Sequence, residues 1–253
     1  MTRFMSAILA TGLVLGSGRL ALADDQDAKA VIDKAVTALG GAAKLGAAKA
    51  IAWKTKGKMH RNDNDNEFSS KVTVQGIDHF RQEFEGDFNG NPIKGVTVLD
   101  GDKGWRKFGE ETNKLEDDAL ANQKRNVYLQ VVPEMPLLLN GEGFKVEVGE
   151  EEKVGGKPAA VLKVTGPDGK DFQLFFDKES GLPVKMTATV AGRQGNEFAQ
   201  ETTFGNYKDF DGIKRATKIE TKRNGTKFLD AEVTEFKVLD KVDPKTFAEP
   251  KVD

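Results

Sequence analysis

The stretch "FFDKESGLPVKM", residues 175–186, decides how the rest of the chain is read. An aromatic run meets Asp177, then Glu179-Ser180-Gly181 and Pro183. Apolar residues resume at every second position, Leu182, Val184 and Met186. An apolar run, a turn and an alternating run make two strands folded back to back, each with one greasy side.

The same period of two repeats outward in both directions. Ile51, Trp53 and Met59 alternate with Lys54, Lys56, Lys58 and His60. Phe68, Val72 and Val74 follow, then Phe80 and Phe84, Val96 and Val98, and a segment around Trp105 and Phe108. Beyond residue 140 come Phe144–Val148, Ala159–Thr165, Phe172–Phe176, Leu182–Val190, Glu197–Phe204, Ile213–Thr221 and Lys227–Val238. Asn-Gly and Asp-Gly pairs at 89–90, 100–101, 140–141, 168–169, 211–212 and 224–225 supply tight turns between them. Ten to twelve one-sided strands make an antiparallel sheet with one wet face.

Helices are few. Asp24–Leu39 carries Ala28, Val31, Ile32, Ala35, Val36 and Leu39 on one stripe and stops at Gly40-Gly41. A short turn around Leu45 follows. Asp117–Val132 is a second helix, with Leu120, Val127, Tyr128 and Val131 on its apolar side. Pro133 and Pro136 end it, and Leu137–Leu139 form a short plug. Two helices cannot roof so broad an apolar face. The sheet is therefore expected to curl into an unclosed barrel with a helical lid, a mainly β (α+β) fold.

Residues 1–23 read as an export signal: Arg3, the apolar stretch Phe4–Leu15, and the small residues Ala21 and Ala23 around Leu22. Cleavage near Ala23 leaves residues 24–253 as one expected domain, exported to a periplasm, with no later transmembrane segment. The chain has 253 residues, no Cys and a formal net charge of −2. Removing Arg3 and Arg19 with the leader makes the remainder more acidic. Interleaved acids and bases give no nucleic-acid footprint.

Reactive groups are scarce. Beyond the leader the serines are Ser69, Ser70 and Ser180, none in a nucleophile elbow. The 2 histidines, His60 and His79, stand on charged strand faces. "DNDNE" (63–67) fails as a calcium loop, with Phe68 where Gly is required and Val74 where Glu is required. Gly155-Gly156-Lys157 is followed by Pro158 and lacks the first glycine of a phosphate loop. No cofactor, no metal and no catalysis are expected. The distinctive resource is apolar surface, and Trp53, Met59, Phe80, Phe84 and Trp105 are the candidates to line a ligand cavity.

With these pieces placed, the chain resembles the LolA/LolB-like superfamily of exported lipoprotein and lipid carriers, which includes the LppX and RseB types. The resemblance rests on "LFFDKESGLPVKM" (174–186), "GNYKDFDGIKRATKI" (205–219) and "VDPKTFAEP" (242–250), with Gly181 and Pro183 shaping a turn and Phe247 docking the tail. It implies an unclosed barrel with a helical lid and an apolar pocket for acyl chains, without implying that this chain carries lipoproteins; a lipid or acylated lipoprotein is the expected partner. The alternative it carries is an RseB-like sensor or scaffold that binds an envelope protein and transports no lipid.

Overall fold

The structure, a computed structural model, describes residues 20–61, 64–88, 90–192 and 195–251. Most of the expected leader, and Asp63 of the "DNDNE" stretch, lie outside them. Helix α1 (Leu20–Leu39) buries Ala28, Ile32, Ala35, Val36 and Leu39, the stripe its spacing predicts. Helix α2 (Ala42–Ala47) seats Leu45 in the same core.

Strands then follow in hairpin succession: β1 (Ala50–Arg61), β2 (Asn64–Gln75), β3 (His79–Phe88), β4 (Asn91–Asp100), β5 (Lys103–Phe108) and β6 (Glu111–Lys114). Helix α3 (Asp117–Val131) and two 3-10 turns, Val132–Glu134 and Pro136–Asn140, interrupt them, with a proline early in each turn. The second run is β7 (Lys145–Val148), β8 (Glu152–Val154), β9 (Lys157–Thr165), β10 (Asp171–Asp177), β11 (Pro183–Ala191), β12 (Glu197–Phe210), β13 (Ile213–Arg223) and β14 (Thr226–Leu239). A last 3-10 turn, Pro244–Phe247, closes the described chain.

All pairings are antiparallel, in one 14-stranded sheet ordered β6-β5-β4-β3-β2-β1-β14-β13-β12-β11-β10-β9-β7, with β8 on β9. The sheet has two ends and does not close. It must nevertheless curl. Leu99 of β4 and Leu162 of β9 belong to one contiguous apolar cluster. On a flat sheet their strands would stand roughly 43 Å apart, at about 4.8 Å per step. The unclosed barrel expected from the shortage of helices is what the sheet forms. The additional strands beyond the expected ten to twelve include the four-residue β6 and the three-residue β8.

The opening hairpin shows how the local chemistry works. Asp177 accepts hydrogen bonds from the Ser180 amide at 2.7 Å and the Ser180 hydroxyl at 2.8 Å. These bonds hold its carboxyl below the usual carboxylate range, the backbone bond being the larger cause. Gly181 sits at φ +76°, and a Cβ there would stand 3.0 Å from the Lys34 carbonyl of α1. The turn therefore docks α1 onto the sheet. One expectation fails here: Leu182 and Met186 join the inner core, but Val184 packs with Val161 and Phe175 on the outer face. A bulge between Phe175 and Phe176 shifts the register and turns Val184 over.

Candidate functional site

Cross-strand register assigns each side chain to a face. From Trp53, pairing runs to Val72 on one side and Phe236 on the other. Phe80 pairs with Val74 and with Leu99, and Leu99 with Gly104. Directly paired residues share a face, so all of these line the inner side.

Helix α3 lies across that inner side. A Cβ on Gly104 of β5 would meet Leu115 and Leu120. Arg106 of β5 donates to Gln123 at 3.2 Å. At its far end Arg125 donates from Nε to the Thr189 carbonyl at 3.0 Å and from Nη2 to the Asp171 carbonyl at 2.9 Å. Its Nη1 pairs with Asp168 at 3.1 Å, and the Tyr128 hydroxyl donates to the same carboxylate at 2.8 Å. Burial pushes the Tyr128 hydroxyl well above its ordinary pKa, so it acts as a fixed donor. One helix thus ties the β5 end of the sheet to the β10–β11 end.

The floor beneath α3 and α1 is filled. Phe80, Leu99, Leu162, Leu174 and Phe176 are essentially without solvent contact. Within this floor lies a charged cluster. The Arg215 guanidinium rests against the Trp53 ring at 4.5 Å and the Phe236 ring at 5.0 Å. Glu134 stands nearby and accepts from the Ala216 amide at 3.4 Å. Burial pushes the Glu134 carboxyl up and Arg215 partly opposes it; burial likewise pushes Arg215 down and Tyr207 up.

The other half of the inner face is different. Phe68 and Phe84 stack with ring centroids 5.7 Å apart, and Phe88 lies 6.2 Å from Phe84. Gly95 lies opposite Phe84 and Phe108, and a Cβ there would stand 2.7 Å from the Phe108 ring. Ile93 is 37% exposed and Phe108 44% exposed, two of the three large hydrophobic residues most open to solvent among the described residues. Phe84, Phe88, Ile93 and Phe108 stay outside the packed core cluster, and Phe68 is buried beneath them at 8% exposure. An aromatic wall therefore stands on the inner face beyond the reach of the lid. Met59, between Asn66 and Leu229, borders it.

The five candidates from the sequence are thus divided. Phe84 and Met59 lie on the open part of the inner face. Trp53 and Phe80 lie in the filled floor. Trp105 is on the opposite side: it pairs with Val98, which pairs with Arg81, on the face that carries Thr73. It cannot line the same hollow. Alternation counted along one strand does not fix a face until register with the neighbours is known. The final 3-10 turn covers that outer face, where Phe247 is buried and its ring lies 5.4 Å from His79. Phe88, Ile93 and Phe108 belong with Phe84, and "EFEGDF" (83–88) carried the signal in its alternating phenylalanines.

Both histidines have carboxylate neighbours. His60 contacts Asp65 at 2.6 Å and Asp230 at 2.8 Å, and His79 lies 3.0 Å from Asp100. Among the described residues no cluster of His, Asp and Glu is arranged to hold a metal ion. Asp65 and Glu67 are strand residues of β2 rather than loop residues. A groove of about 910 Å³ lies on the outer face of β7 and β9–β12, lined by Lys163, Asp171, Gln173, Thr187 and Glu201. Its mixed charges and lack of outward-facing aromatic rings make it a solvated sheet face.

No protein-family model matches the sequence, and neither does any curated protein sequence. Solved structures do match. A LolA superfamily protein from Nitrosomonas europaea aligns over 88% of this chain and 97% of its own, at TM-score 0.59 and 11% identity. A domain assigned to outer membrane lipoprotein sorting, from Vibrio parahaemolyticus, aligns over 88% and 96%, at TM-score 0.56 and 11% identity. A DUF1329 family protein from Desulfovibrio piger aligns over 87% and 97%, at TM-score 0.55 and 13% identity. At these identities the likeness establishes the fold, which is LolA-like.

Proposed function

We propose that this protein is an exported, non-catalytic binder or carrier of a lipid or lipid-anchored partner, acting in a periplasm. The observation that carries this reading is the wall of Phe84, Phe88, Ile93 and Phe108, standing over a buried Phe68. A soluble chain that leaves such rings on an inward-curving face, outside its own core, has surface suited to an apolar guest. Met59 and Phe84 line the hollow; Trp53 and Phe80 support it from the floor. Binding needs no covalent step, consistent with the scarcity of nucleophiles in the sequence. The lipoprotein-sorting description attached to one structural neighbour agrees with this reading.

Native mass spectrometry of protein purified from a periplasm tests it, together with uptake of a fluorescent fatty acid. Co-purifying lipid, and uptake weakened by Phe84→Ser, is the expected result. A clean apo mass with no uptake overturns it. A second reading, a scaffold of the RseB kind, is favoured by the filled floor, which leaves no deep apolar chamber under α3. It would be distinguished by capture of an envelope protein without uptake of any acyl probe.

A further inference from the structure

Arg223 ends β13 at the rim of the same inner face. It pairs with Gln200, next to the Phe198 that packs on the core. Its guanidinium, like that of Arg215, rests against two aromatic rings. The Phe228 ring covers it at 3.8 Å and the Phe198 ring lies 5.5 Å away. Nε donates to Gln200 Oε1 at 3.1 Å. Half-burial lowers its pKa from the ordinary value, yet an arginine remains cationic.

What the guanidinium lacks is an anion. Its neighbours on the sheet have one: Lys222 faces Glu201 at 3.9 Å, Lys218 faces Glu220 at 2.8 Å, and Lys227 faces Asp230 at 2.6 Å. Among the described residues no carboxylate lies within ion-pair distance of Arg223, and its Nη groups have no protein acceptor. With aromatic rings against the plane and Nε occupied, what remains is the Nη edge. That edge is the one that binds carboxylate or phosphate through two parallel hydrogen bonds.

Its position completes the argument. From Arg223 the inner face continues through Thr221 to Leu229, from Leu229 to Met59, and on to Asn66 at the end of β2 that carries Phe68. The hollow therefore has an aromatic wall on one side and one unpaired cation at its other rim. We propose that it selects acidic amphiphiles, acyl chains that end in a carboxylate or phosphate, by pairing the head group with Arg223. This rests on the binder reading above and adds the charge class of the ligand.

Isothermal titration of the full-length exported protein tests it, using oleate, oleoyl lysophosphatidic acid, uncharged monoolein and inorganic phosphate, with the amphiphiles below their micelle concentrations. The two acidic amphiphiles are expected to bind on the order of tenfold tighter than monoolein, the scale of a charge-assisted bidentate pair. Arg223→Gln removes that preference and leaves monoolein unchanged; Arg223→Lys restores part of it. Thermal melts of both variants establish that they fold. Equal affinity for acidic and neutral amphiphiles, unaffected by Arg223→Gln, overturns this inference and leaves the binder reading standing. Phosphate alone binding as tightly as lysophosphatidic acid also overturns it, because the acyl chain would then contribute nothing. Failure of every amphiphile to bind overturns both.

Discussion

Phe68 and Phe84, on neighbouring strands, stack with their planes 15° apart, Phe68 buried and Phe84 half-buried. Phe80, four residues before Phe84 on the same strand face, has no exposed surface at all. The two ends of β3 thus place the same residue type in opposite circumstances, and substitutions should separate them. Phe80→Ala is expected to cost about 3–5 kcal/mol of stability, as the loss of a fully buried aromatic does. Phe108→Ser, at a ring 44% exposed, should change stability by no more than about 0.5 kcal/mol while weakening uptake of a fluorescent fatty acid. Denaturant titration reads the first effect, and the binding assay reads the second.

Gly181 should tolerate no side chain. Its φ of +76° penalises any L residue, and a Cβ would press against both Cγ and the carbonyl of Lys34. An unstrained Gly→Ala exchange stabilises by up to about 1 kcal/mol, whereas Gly181→Ala is expected to destabilise by more than that amount. Because the turn seats α1, amide exchange in residues 28–39 should rise along with the global loss. A variant that melts like the parent would refute the docking role.

Acid should loosen the same turn. The Ser180 amide and hydroxyl lower the Asp177 carboxyl below its unfolded value, near 3.9. Its contribution is therefore fully present above about pH 4 and is lost as pH falls through the lowered folded value. Asp177→Asn should destabilise at neutral pH and show a shallower loss than the parent on acidification. Melting curves taken from pH 7 down to about 2 would reveal the difference.

Arg215 and Glu134 should behave as a unit. Both are buried, at 4% and 3% exposure, and each keeps one polar atom without a hydrogen bond, Nε of Arg215 and Oε1 of Glu134. Arg215→Met alone should destabilise the fold by removing the cation that opposes the burial of Glu134. The double variant Arg215→Met with Glu134→Leu should recover most of that loss, since well-packed apolar residues replace buried charged groups at little cost. A double-mutant cycle read by denaturant unfolding checks it; simple additivity would be the contrary result.

How much of this was legible in the sequence depended on the range of the interactions involved. Helix α1 and helix α3 announce themselves through i, i+3 and i+4 spacing, and several hairpins through Asp-Gly and Asn-Gly turns at 100–101, 168–169, 211–212 and 224–225, while Asn140-Gly141 ends a 3-10 turn instead. The curl follows from counting strands against helices. Face assignments did not follow. Trp105 looks inward when its strand is read alone, and only the pairing of Leu99 with Gly104 turns it outward. Val98 and Leu99 are both fully buried because the tail around Phe247 covers the outer side, a contact between residues far apart in the chain. Val184 was misplaced by a single bulge. Arg223 gave no signal at all: its interest lies in the partners it lacks, and absence of a partner is a property of three-dimensional arrangement.

The ends of the sheet have a mechanical consequence. β6 and β7 terminate the strand order and are joined by the chain that forms α3. A closed barrel has a girth fixed by its ladder, and widening it means breaking backbone hydrogen bonds. Here side-chain ties such as Arg125 to Asp168 bridge the helix and the sheet instead, so the curvature of the ribbon is not locked by a closed ladder of backbone hydrogen bonds.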